Sequence, residues 1–173
     1  SVKVMPLEGA EKIVIEGESF EAFNTSGGCA TMCETFEGEI QNLSYKTIRY
    51  PGHLNHMKFL FNDLHLKKNK DVLEKLFDKE VPRTKNDVII FFVKVIGLID
   101  GVLQEKTYLR KIYGDEKFSA IQLTTASGVC SALKMFLDGK ITNKGFTKQE
   151  SLNWNDFLEN KYGQVYALSL IHI

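Results

Sequence analysis

Apolar and polar residues alternate from Leu43 to Tyr50, and the alternation stops at Pro51-Gly52. Successive side chains of a strand point to opposite faces, so this pattern predicts a strand ended by a turn. Beyond the break, Leu54, Met57, Leu60 or Phe61, and Leu64 recur at the spacing of one helical face, which predicts a helix from about Leu54 to Leu66. Lys67-Lys68-Asn69-Lys70 is a solvated interruption, and Val72, Leu73, Leu76 and Phe77 mark a second short helix closed by Pro82. Upstream, Ile13 to Ile15 and Phe20 to Phe23 flank Glu16-Gly17-Glu18 as a hairpin or β-corner. Thr25-Ser26-Gly27-Gly28 then leads into a short helix over Cys29 to Phe36, with Thr25 or Ser26 as cap and Gly38 as stop.

The segment Val88 to Ile96 is nearly all apolar and rich in β-branched residues, which predicts a strand buried on both faces. Asp100-Gly101 supplies hairpin-turn chemistry, and Val102 to Tyr113 returns as its partner. After Phe118 to Leu123, Thr124-Thr125 is expected to cap a helix in which Val129, Ala132, Leu133, Phe136 and Leu137 form one face and Gly139 is the stop. A last helix near Asn155 to Tyr162 and a closing strand from Gln164 to Leu170 complete the order. No repeat, low-complexity tract or linker interrupts it, so one α+β domain over residues 1–173 is expected.

Composition narrows the function classes. Lys plus Arg and Asp plus Glu are 22 each, so no surplus positive field recruits nucleic acid or an anionic membrane. No run of about 18 apolar residues is present. The N-terminus lacks a basic segment followed by an apolar one, so a cytoplasmic location is expected. The three cysteines, Cys29, Cys33 and Cys130, have neither CxxC nor zinc-ribbon spacing, and reduced, packed thiols are expected. The apolar Val88 to Ile96 run needs cover on both faces, which favours a homodimer.

Arginine is scarce, with only Arg49, Arg83 and Arg110 in the chain. Its planar fork suits bidentate binding of a carboxylate. Arg49 stands just before the Pro51-Gly52-His53 helix start, where first-turn N–H groups, Arg49 and His53 are expected to converge on an anion. His53 is either a proton donor or acceptor or simply the helix N-cap. His53 and His56 lie three apart, but no second ligand pair has zinc spacing, so no metal is expected. The hydroxyls of Thr25-Ser26 and Thr124-Thr125 are placed at expected helix starts, either as caps or as part of an anion site. No G-x-G-x-x-G occurs, so no dinucleotide is expected to bind this chain alone.

Asn24-Thr25-Ser26-Gly27-Gly28, Cys33-Glu34-Thr35, the block Tyr45-Lys46-Thr47-Ile48-Arg49-Tyr50-Pro51-Gly52-His53, Thr124-Thr125 and Gly139-Lys140-Ile141 occur here in that order. Together they resemble the C-terminal, substrate-side domain of the saccharopine dehydrogenase family, over roughly residues 17–166. The resemblance implies an α+β domain with a mixed sheet covered by helices, and a dinucleotide-binding domain N-terminal to it that is not part of this chain. It implies that the complete enzyme uses NAD or NADP to oxidise a secondary amine at a carbon bearing a carboxylate. The implied substrate is saccharopine or a related amino acid, and no residue here separates those substrates. Carried onto this chain, Arg49 would clamp a carboxylate, and Asn24 and Thr125 would complete the polar lining. His53, or less readily Lys46, would handle the amine proton. The terminal residues 167–173 match nothing in that pattern. The competing expectation is a stand-alone binding or dimerisation module without chemistry.

Overall fold

The computed structural model describes residues 3–167. Helices and antiparallel sheets share the chain, which is the α+β class that the alternation and helical spacing predict. Among the described residues the strands are divided between two small sheets, antiparallel throughout, and the chain clusters into two compact units that meet in sequence at Pro82 and Arg83.

In the first unit, β1 (Glu11–Ile15) and β2 (Glu18–Phe23) form the expected hairpin, turning at Glu16 and Gly17 with φ of 51° and 81°. Strand β3 (Thr47–Arg49) pairs antiparallel with β2, placing Arg49 opposite Glu21 and Thr47 opposite Phe23. The alternation from Leu43 thus yields only three strand residues, because only Thr47 to Arg49 meet a partner. Ile15, Phe20, Ala22, Phe23 and Leu54 are buried and make this unit's core.

Short helices make up much of the rest of this unit. The first, α1 (Met32–Thr35), covers half the expected span, and Thr31 rather than Thr25 or Ser26 precedes it. Thr25 instead shares a 2.6 Å hydroxyl contact with Thr47, tying the loop to β3. Helix α2 (His53–Lys58) begins one residue before Leu54 and has Gly52 as N-cap at φ 96°, so His53 is the first helical residue and not the cap. The expected helix does not run on to Leu66 as a single α-helix. Phe59–Asp63 is wound as a π-turn, closed by a 3.0 Å bond from Leu64 N–H to the Phe59 carbonyl. Helix α3 (Lys70–Glu80) follows, with Leu73 and Phe77 half-buried one turn apart.

The second unit is built on a long hairpin, β4 (Val88–Ile99) and β5 (Val102–Tyr113), joined as expected through Asp100 and Gly101. Both turn residues have positive φ, 51° and 77°, the two-residue turn whose twist matches that of the strands. Helix α4 (Ala120–Leu137) and α5 (Trp154–Glu159) pack in this unit, followed by a 3-10 turn over Gly163–Tyr166. That turn replaces the first part of the expected closing strand, whose remainder from Leu168 lies outside the described residues. Phe91, Tyr108, Trp154, Phe157 and Tyr166 form a ring cluster with centroid spacings of 5.3–6.2 Å. Tyr108 O–H donates to the Tyr166 carbonyl and Tyr166 O–H to the Thr124 carbonyl, so both phenols are satisfied at their polar ends.

Three expectations are corrected in this unit. Strand β4 is not covered on both faces: its half from Val93 to Ile99 is exposed. Helix α4 starts at Ala120, with Ser119 and Gln122 forming a reciprocal capping box, so Thr124-Thr125 lies inside the helix rather than at its start. The same helix turns its polar stripe inward, burying Thr124, Ser127 and Ser131, while Val129, Leu133, Phe136 and Leu137 are 54–70% exposed. Hydrogen bonds satisfy the inward hydroxyls, and those of Ser131 tie this face to the α5 end. Thr124 donates to the Ala120 carbonyl at 2.8 Å, and Ser131 donates to the Phe157 carbonyl at 3.0 Å while accepting from Asn160 Nδ2 at 2.7 Å. The small hydroxyl side chains also allow close approach that leucine would prevent. By length and composition α4 is the one described helix that could cross a bilayer, at a mean hydropathy of 1.2.

Candidate functional site

Cross-strand pairing of β2 and β3 sets Glu21 beside Arg49, and the Pro51-Gly52 turn brings the start of α2 back over the same point. The first-turn amides do converge on a carboxylate, but it is the chain's own. Gly52 N–H donates to Glu21 Oε2 at 3.1 Å and Leu54 N–H to Glu21 Oε1 at 2.6 Å. The expected anion pocket at this helix start is therefore filled by Glu21, a residue that the sequence reading did not single out. Its signal was present as a carboxylate between the apolar Phe20 and Ala22 of a core strand.

Arg49 is exposed at the end of β3 and, among the described residues, donates to the Ile48 carbonyl at 3.4 Å. No carboxylate among the described residues pairs with it. His53 is exposed, and its ring stacks on buried Phe23 at 6.2 Å and 21°. Desolvation pushes the His53 pKa below its ordinary value, with Arg49 and then His56 adding to that effect and Glu21 opposing it. The shift favours the neutral imidazole, which is able to accept a proton, beside a guanidinium with no carboxylate partner among the described residues. Glu21, Arg49 and His53 are the group that the fold assembles.

The other expected residues are placed elsewhere. Asn24 follows the end of β2, three strand positions from Glu21, or roughly 10 Å along the strand. Its backbone closes two bonds to the N-terminal segment, Leu7 N–H to the Asn24 carbonyl at 2.7 Å and Asn24 N–H to the Glu8 carbonyl at 2.9 Å. Its side chain lies over Gly9, where a Cβ would stand 2.9 Å from Asn24 Nδ2. Thr125 belongs to the second unit, exposed on α4, and is neither a cap nor part of a helix-terminal anion site. The amides at the start of α4 already have partners: Asp87 accepts from Ala120 N–H at 2.6 Å and Ile121 N–H at 3.2 Å. Lys46 forms an ion pair with Glu11 at 2.9 Å.

Burial and the adjoining Cys33 thiol push the Cys29 thiol up, which keeps it a poor nucleophile at neutral pH. Among the described residues no three histidine, cysteine or carboxylate side chains converge as a metal site. A cavity of about 390 Å³ in the second unit is lined by Lys134, Asp138, Lys140 and Asp156, whose charges pair with one another. None of the expected site residues lines it.

No model of a known protein family matches this chain, and no solved structure matches it. The likeness to the saccharopine dehydrogenases therefore rests on the residues quoted for it.

Proposed function

We propose that this chain is the substrate-side domain of an NAD(P)-dependent oxidoreductase of the saccharopine dehydrogenase type, acting on the CH–NH group of saccharopine or a related amino acid. The observation that carries the reading is the pairing of Arg49 and His53 at the end of β3. One is an exposed guanidinium with no carboxylate partner among the described residues; the other is an imidazole whose pKa lies below the ordinary value. Oxidation of a secondary amine next to a carboxylate asks for those two groups: a cation to hold the carboxylate and a neutral base to take the amine proton. Arg49 binds the carboxylate in this reading, and His53 holds the proton. Glu21 is a positioning residue that fixes the start of α2 and with it the imidazole.

The nicotinamide cofactor does not fit the residues described here. The chain lacks the G-x-G-x-x-G turn, and both sheets are antiparallel, whereas that turn works inside a parallel strand–helix–strand unit. Its binding belongs to a further domain in this reading. The alternative is a binding or dimerisation module without chemistry, favoured by the exposed apolar half of β4.

Titration of the chain with saccharopine, followed by amide and imidazole NMR shifts, separates the two. The expected result is shifts centred on Arg49 and His53, with binding weakened by roughly tenfold in Arg49→Lys, since a charge-assisted bidentate pair contributes about 1.5–3 kcal/mol. Absence of shifts at millimolar ligand, or equal binding by Arg49→Lys, would remove the enzymatic reading.

A further inference from the structure

The two strands of the long hairpin differ in kind. Strand β4 carries one charge, Lys94, in twelve residues, the composition of a strand with neighbours on both sides. Strand β5 carries Glu105, Lys106, Arg110 and Lys111, the composition of a sheet edge. Among the described residues both are edges, because no third strand there joins the sheet. Outside the helix-packed end, Val93, Val95, Ile96, Leu98, Val102 and Leu103 are each 52–70% exposed. A two-stranded ribbon by itself is marginal in water, so an apolar ribbon of this length calls for a further partner.

The turn geometry decides which backbone groups are open. In a two-residue hairpin the closing pair, here Ile99 and Val102, is hydrogen-bonded, and bonded pairs alternate from there. The N–H and C=O groups of Lys94, Ile96 and Leu98 therefore point to the open side of β4. We propose that this open side is an interface between two copies of the chain, β4 against β4 in antiparallel register about a two-fold axis at Ile96.

Charge supports a second copy as the occupant. Residues 93–107 hold Lys94, Asp100, Glu105 and Lys106, so the ribbon is neutral, and Lys94 already pairs with Glu105 at 3.1 Å. In the Ile96-centred register each Lys94 falls opposite Leu98 of the other copy, and no like charges meet. A register centred on Lys94 would oppose two ammonium groups directly. Symmetric pairing also moves β4 to the middle of a four-stranded sheet and leaves the charged β5 at both outer edges, as the two compositions require.

Sedimentation of the wild-type chain is expected to show a dimer. Ile96→Pro removes an outward N–H without breaking the β4–β5 ladder, and a loss of association of roughly tenfold or more is expected, because two symmetric hydrogen bonds disappear. Phe136→Glu, on the exposed face of α4, is expected to leave the dimer intact. Under mild oxidation, Ile96→Cys is expected to give a covalent dimer beyond the wild-type level, because hydrogen-bonded cross-strand pairs sit about 5.5 Å apart at Cα, within disulfide reach. A monomeric wild type overturns the proposal and assigns the open edge to a different partner. A dimer that survives Ile96→Pro with unchanged circular dichroism, or that Phe136→Glu dissolves instead, also overturns it. Should Ile96→Pro fail to fold, the presence or absence of the Ile96→Cys cross-link decides.

Discussion

Glu21 shows how a single carboxylate organises the first unit. It sits on a core strand, accepts two amides from the start of α2, and lies near enough to His53 to oppose the depression of its pKa. Glu21→Ala is expected to cost about 1–2 kcal/mol in chemical denaturation, the range for loss of a helix-capping side chain. The same substitution is expected to lower the His53 pKa further, because the one neighbour that raises it is gone. A His53 NMR titration in the variant checks this, and an unchanged or raised value would show that Glu21 does not act on the imidazole. The sign for stability follows from the same shift. The folded chain binds the His53 proton less tightly than the unfolded chain, so this contribution is complete above the ordinary value of 6.5 and declines as pH falls below it. His53→Gln should flatten that part of the stability profile.

At the scale of elements, the second unit depends on close approach at two glycines of its helical layer. A Cβ on Gly163 would stand 1.6 Å from the Phe157 carbonyl oxygen and 3.0 Å from Ser131 Oγ, so backbone must move to admit it. A Cβ on Gly128 would meet only the Tyr166 hydroxyl, at 3.1 Å. Gly163→Ala is therefore expected to destabilise by about 2–3 kcal/mol in urea denaturation, and Gly128→Ala by distinctly less, on the usual cost of overpacking. Equal effects would mean that the α5 end yields more easily than its hydrogen bonds indicate. The inward hydroxyls of α4 belong to the same arrangement, since Ser131 holds both the Phe157 carbonyl and the Asn160 amide.

For the molecule as a whole, the sequence has no G-x-G-x-x-G turn, and the strands among the described residues pair antiparallel. Titration of the chain with NADH or NADPH, followed by fluorescence, is expected to show no micromolar binding, and such binding would contradict the division of labour proposed above. Much of the architecture was legible locally. Glu16-Gly17 and Asp100-Gly101 specify their hairpins because few residues tolerate positive φ, and Pro51-Gly52 ends a strand for the same kind of steric reason. Such signals are carried by a few adjacent residues and need no tertiary partner. The sequence by itself also determined that Arg49 and His53 flank one strand-to-helix junction. Only the tertiary structure decided what that junction holds, because Glu21 reaches it from 31 and 33 residues away. It likewise decided which face of α4 turns inward. Apolar periodicity marks Val129, Leu133, Phe136 and Leu137 as a stripe, but the Phe157 acceptor for Ser131 and the close approach that Gly163 permits favour the opposite face. Periodicity reports that a helix has two faces; which one is buried depends on partners that only the folded chain supplies.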